Sequence, residues 1–305
     1  MRLMKGTSRS RSRTPPFTGV RRSVPCSWIC RREIKLLFLP DMLKTIIYKG
    51  VTVAYEDRGT GTCIMLLHGY LETRRIWDGF AEQFLDDFRV ITVDLPGHGE
   101  SGTWGEIHRM EELAGAVRTI VQKEEPGSLF LVGHSLGGYV TLAFAELYPE
   151  LLSGFSLFHS TCFADTEEKK KNRDREISLI RCNKKHQIIN VNMPKGFADV
   201  NLETLGPHIE RAKTLALENS NEGIVAMLNG MKQRPDRTAV LKDLRLPLLL
   251  IGGMMDNYIP LEEFERLVEL APHASVLRLE RSGHMGFIEE PEPTGRAIRE
   301  MVSSL

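Results

Sequence analysis

Apolar positions along this chain follow two rhythms. Short, nearly unbroken apolar runs occur at Cys63–Leu67, Arg89–Val93, Leu129–Val132, Phe155–Phe158 and Pro247–Ile251. Runs of that length read as strands buried on both faces. Between them the apolar residues recur at helical spacing. Ile76, Trp77, Phe80 and Phe84 share one side of a helix expected over Arg75–Phe84. Further helices are predicted at Met110–Val121, Tyr139–Leu147, Leu261–Leu270 and Pro293–Val302, with one more strand at Ser275–Leu279. Thr45–Tyr48 and Val51–Glu56 flank Lys49-Gly50 and predict an edge hairpin. Strands alternating with helices predict an α/β fold: a mostly parallel central sheet with helices on both faces.

The pattern changes from Phe163 to about Pro235. Glu167–Lys185 is highly charged and helical in spacing. A broken stretch containing Pro194, Gly196, Gly206 and Pro207 follows, then helical Ile209–Glu218 and Glu222–Lys232. The longest strand candidate here is only Gln187–Val191. Residues 163–235 are therefore expected to be a helical cap inserted into a core formed by 42–162 and 236–305.

Charge adds one feature. The 305 residues carry 40 basic and 40 acidic side chains, so the formal net charge is zero. Residues 1–41 hold ten Lys or Arg and two acids, which leaves 30 basic and 38 acidic residues beyond them, a net of −8. A negative body argues against nucleic-acid binding. The Arg-, Ser- and Pro-rich start lacks apolar periodicity and is expected to be a disordered extension. A transit peptide or a basic arm fits it. A start of translation at Met42 fits better, because the foldable pattern begins at Leu43. No apolar window is long enough to span a membrane. The five cysteines, at 26, 30, 63, 162 and 182, show no disulfide or zinc spacing. This suits a reducing, cytoplasmic setting with no bound metal.

The chemistry concentrates at strand ends. Leu129–Val132 runs into Gly133-His-Ser-Leu-Gly137-Gly138 and then a helix. Strand, sharp turn and helix with Ser135 at the apex form a nucleophile elbow. Gly133 and Gly137 allow the chain to pass closely on either side of that apex. A serine hydroxyl needs a base, and the base needs an orienting acid. Asp256 follows the strand Pro247–Ile251, and His284 follows the last strand, giving the chain order Ser, Asp, His. Asp256 also suits a turn, and Asp236 is a less well placed alternative. The N–H groups of Leu136 and Tyr70 are the candidate oxyanion-hole donors. His68 reads as a loop support, as do His98 and His134 in their own loops. His159, Met227 and Met231 are candidate substrate contacts, although His159 reads more safely as structural, and Met227 and Met231 better suit an apolar underside of the cap that could still touch an acyl chain.

Leu67-His-Gly69, Asp94-Leu-Pro-Gly-His-Gly-Glu-Ser101, Gly133–Gly138, Gly253-Met-Met-Asp256 and Ser282-Gly-His284 together resemble the α/β-hydrolase superfamily from Leu43 onward. The resemblance implies Ser135 as nucleophile, His284 as general base and acid, Asp256 as its orienting carboxylate, and no cofactor. Ser135 replaces the Asp that dehalogenases and epoxide hydrolases carry at the elbow. The His-Gly-Gly-Pro-Gly of proline iminopeptidases is replaced by His68-Gly-Tyr-Leu-Glu72. The expected activity is hydrolysis of a small or medium carboxylic ester through an acyl-enzyme. A non-catalytic small-molecule receptor, or a cofactor-free lyase, thioesterase or amidase, remains open on the same residues.

Overall fold

A computed structural model describes residues 43–305; the expectations for the basic extension and for Cys26 and Cys30 lie outside the described residues. The sheet has eight strands: β1 Leu43–Tyr48, β2 Val51–Arg58, β3 Cys63–Leu67, β4 Arg89–Val93, β5 Leu129–His134, β6 Gly154–Phe158, β7 Leu248–Gly253 and β8 Ser275–Leu279. Their spatial order is β1-β2-β4-β3-β5-β6-β7-β8. β1 and β2 pair antiparallel, as do β2 and β4, and every other pair is parallel. The β1–β2 turn uses Lys49 and Gly50, both at positive φ, the geometry that matches the twist of a two-residue hairpin.

The continuous apolar runs become the central strands. Every residue of β3, β5, β6 and β7 is buried. Helices α1 Met110–Glu124 and α2 Leu136–Leu147 follow β4 and β5, and α8 Leu261–Leu270 follows β7. A single turn, α9 Gly286–Glu289, and the closing helix α10 Pro291–Ser303 follow β8.

The helix expected over Arg75–Phe84 is absent. Two 3₁₀ turns, Arg74–Trp77 and Ala81–Phe84, stand there instead. Gly79 between them adopts φ +65°, which no continuous right-handed helix accommodates. The four apolar side chains are buried all the same.

Between β6 and β7 the chain forms α3 Glu167–Arg181, α4 Lys185–Lys195, α5 Gly206–Glu218, α6 Asn221–Gln233 and the short α7 Thr238–Asp243. Gln187–Val191, the strand candidate, lies within α4. Ile188, Ile189 and Met193 form its buried face while Val191 is exposed, a helical rather than an alternating pattern. Asp236 precedes a helix, not a strand, and accepts from the Thr238 N–H at 2.9 Å.

The two ends of this helical segment are tied together. Buried Asp165 accepts from Arg234 Nη1 at 2.6 Å and forms a second ion pair with Arg173. Arg234 also stacks 4.0 Å from the centroid of the Tyr139 ring on α2.

Candidate active site

Ser135 caps α2 with φ 49° and ψ −110°, a strained conformation for a residue with a side chain. The surroundings hold it there. Its N–H donates to the Phe158 carbonyl at 2.9 Å, and its own carbonyl accepts from Ser160 Oγ at 2.7 Å. A Cβ on Gly137 would overlap the Leu67 carbonyl, and one on Gly133 would overlap the Gly137 backbone. The glycines are thus required by close backbone approach. Leu136 is the first residue of α2, so its N–H has no intrahelical acceptor.

Asp256 lies just past β7, with every carboxylate direction filled. Oδ1 accepts from the N–H groups of Tyr258 and Ile259 at 2.7 and 3.0 Å. Oδ2 lies 2.7 Å from His284 Nδ1 and 3.2 Å from His159 Nδ1. Burial favours the neutral acid, but His284 and His159 outweigh it and hold the carboxyl well below its ordinary value.

His159 takes the structural place rather than that of a substrate contact. It is buried behind Asp256 and does not line the cavity. Its Nε2 faces the Gly286 N–H at 3.2 Å, and its Nδ1 lies 3.1 Å from the Gly253 N–H as well as beside Asp256. Burial lowers its pKa to about 4, so it stays neutral beside Asp256. Met227 is also fully buried away from the cavity, whereas Met231 lines it.

The loop bearing His284 is fastened at several points. Its N–H donates to the Gly196 carbonyl at 2.7 Å. Glu289 accepts from the N–H groups of Gly283 and Met285 at 2.8 and 3.1 Å, and from Ala198 at 2.7 Å. Glu289 therefore joins the His284 loop to the segment after α4. Nothing in the spacing of the sequence singles out this residue. His68 Nδ1 donates to its neighbour's carbonyl at 2.8 Å, and Nε2 accepts from the Leu95 N–H at 3.0 Å, so its side chain supports the loop after β4.

Ser135 and His284 open on one cavity of about 670 Å³. Tyr70, Leu71 and Tyr139 contribute from the sheet side, and α3, α4 and α6 wall the other. The profile of the alpha/beta hydrolase fold family matches residues 62–291. The chain belongs to that family. A malate-bound thermophilic esterase from Thermogutta terrifontis is 32% identical, with a TM-score of 0.81 over 86% of this chain and 97% of that one. A pimeloyl-[acyl-carrier protein] methyl ester esterase from Methylococcus capsulatus is 28% identical over 82% of this chain and 98% of its own length. An acetyltransferase component of the acetoin-cleaving system of Pseudomonas putida is 29% identical over 78% of this chain, which spans 62% of that protein. Among the described residues no helix is long and apolar enough to cross a membrane.

Proposed function

We propose that this hydrolase-family protein cleaves small or medium carboxylic esters through an acyl-enzyme on Ser135. The observation that carries the reading is the 2.7 Å contact between His284 Nδ1 and the Asp256 carboxylate at the rim of the cavity that also holds Ser135. Asp256 keeps the proton of neutral His284 on Nδ1, so Nε2 is free to take the Ser135 proton. Ser135 Oγ attacks the ester carbonyl, and the oxyanion forms beside the Leu136 and Tyr70 N–H groups. His284 passes the proton to the leaving alkoxide. Water, activated by the same imidazole, then releases the acid and restores Ser135.

Leu71, Tyr139 and Met231 supply apolar wall for an acyl chain, while residues 163–235 act as a cap over it. The methyl ester esterases among its relatives make methyl esters natural first substrates. The test uses p-nitrophenyl acetate, p-nitrophenyl butyrate and a panel of methyl esters, thioesters and amides. Wild-type protein should hydrolyse the esters and label at Ser135 with a fluorophosphonate. Ser135→Ala should lose both, and Asp256→Asn should lose on the order of 10⁴ in kcat. Equal rates for wild type and Ser135→Ala would reject the proposal.

A further inference from the structure

His134 directly precedes the nucleophile, yet ester cleavage as described makes no use of its side chain. The ring is fully buried. Nε2 lies 2.8 Å from the His284 carbonyl oxygen, and Nδ1 lies 3.0 Å from Glu72 Oε2. The same Glu72 oxygen accepts the Gly69 N–H at 2.6 Å. Gly69 adjoins Tyr70, the second proposed oxyanion donor. The packing is close enough that a Cβ on Gly69 would stand 2.8 Å from His134 Nδ1. One line of contacts thus runs from the oxyanion loop after β3, through the elbow, to the backbone of the base after β8.

One ring proton follows from its partner and the other from the charge of Glu72. A carbonyl oxygen only accepts, so His134 Nε2 carries a hydrogen. If Glu72 is ionised, as its lowered pKa and the Gly69 N–H it accepts favour, Nδ1 carries one as well. We propose that Glu72 and His134 form a buried carboxylate–imidazolium clamp that fixes the oxyanion loop relative to His284, making both of them positioning residues. This rests on the esterase reading of the site.

Electrostatics agree with the geometry. Burial alone lowers the imidazole pKa, but Glu72 overrides it and raises His134 above its ordinary value. Burial likewise raises the Glu72 carboxyl, and His134 reverses that, holding it below its usual range. The other titratable groups around His134 are the His284 and His159 rings, 5.0 and 6.0 Å away, with His68 and Asp256 acting through space. Glu72 also lines the cavity with Ser135. Unpaired, its charge would oppose an oxyanion forming nearby; the imidazolium cancels it.

The clamp predicts a specific protonation state and a specific kinetic pattern. With ¹⁵N-histidine labelling, both ring nitrogens of wild-type His134 should be protonated at neutral pH, the signal being assigned by its loss in His134→Gln. Glu72→Gln keeps the size of the side chain and removes its charge. It should lower kcat for p-nitrophenyl butyrate by roughly 10- to 100-fold, as expected for displaced reacting groups, with KM within about twofold. The affinity for a boronic acid that mimics the tetrahedral adduct should fall in parallel. His134→Gln alone leaves an unpaired carboxylate by the oxyanion hole and should be worse than the Glu72→Gln/His134→Gln double variant. A purely structural role would give no such recovery. A neutral His134 in the wild type, or a folded Glu72→Gln with unchanged kcat and boronate affinity, overturns the clamp. If Glu72→Gln does not fold, the protonation state of the wild-type ring decides. A wild type inert to esters and unlabelled at Ser135 removes the esterase reading instead, and the protonation measurement still judges the pair.

Discussion

At the scale of single residues, the site depends on saturating one carboxylate. Asp256 receives two backbone N–H groups and two imidazoles, so neither its ionisation nor its direction is free to vary. His159 is the member of this set with no partner role legible in the sequence. Replacing it with Phe removes the imidazole beside Asp256 and leaves the Gly286 and Gly253 N–H groups without their ring partner. His159→Phe should lower stability by about 1–3 kcal/mol, the usual penalty for an unsatisfied buried group, and reduce kcat about tenfold. Thermal melts and the p-nitrophenyl butyrate assay check both. An unchanged melting temperature would contradict the bonding described for this ring.

At the scale of elements, the helical segment 163–235 depends on its two ends being pinned. Asp165 stands just before α3 and Arg234 just after α6, and both are buried. Removing one side of a buried ion pair leaves an uncompensated charge and typically costs 3–5 kcal/mol. Asp165→Ala strands both Arg234 and Arg173, and Arg173 lines the cavity. The expected outcome is faster proteolysis within 167–233 and a KM raised severalfold, with fluorophosphonate labelling of Ser135 retained. Cleavage kinetics followed by mass spectrometry locate the loosened region. Cleavage confined to sites outside the segment would sink the argument.

At the scale of the whole molecule, buried neutral imidazoles govern the response to mild acid. Burial lowers the pKa of His68, His98, His108 and His159, the last to about 4. On unfolding each regains its ordinary value near 6.5. Their contributions are therefore complete above about pH 6.5 and decline as pH falls, because the unfolded chain then binds more protons. For His159 alone the loss amounts to roughly 3 kcal/mol by about pH 4. His134, with a raised pKa, works the other way: its contribution is present below about 6.5 and lost as pH rises through its folded value. Asp256 and Asp165, both lowered, lose their contributions only as pH falls below about 4. The melting temperature should fall between pH 7 and 5 and more steeply below 4. A flat profile from 7 to 5 would refute this balance.

Strand, helix and elbow were readable in the sequence because each depends on neighbours a few residues away. An apolar run such as Leu129–Val132 demands burial on both faces wherever it lies, and Gly133 and Gly137 announce a close approach whatever backbone arrives. The positions of Ser135, Asp256 and His284 after three strands were readable for the same reason. The helix expected at Arg75–Phe84 failed where one glycine at positive φ outweighed periodicity, and Gln187–Val191 was too short for its period to decide. What the tertiary structure alone decided is which side chains meet. His159 reaches Asp256 across 97 residues, Glu72 reaches His134 across 62, and His134 reaches His284 across 150. Those meetings follow from placing β5 beside β3 and β6, and β7 beside β6 and β8, an order fixed by how the whole core packs rather than by any local pattern.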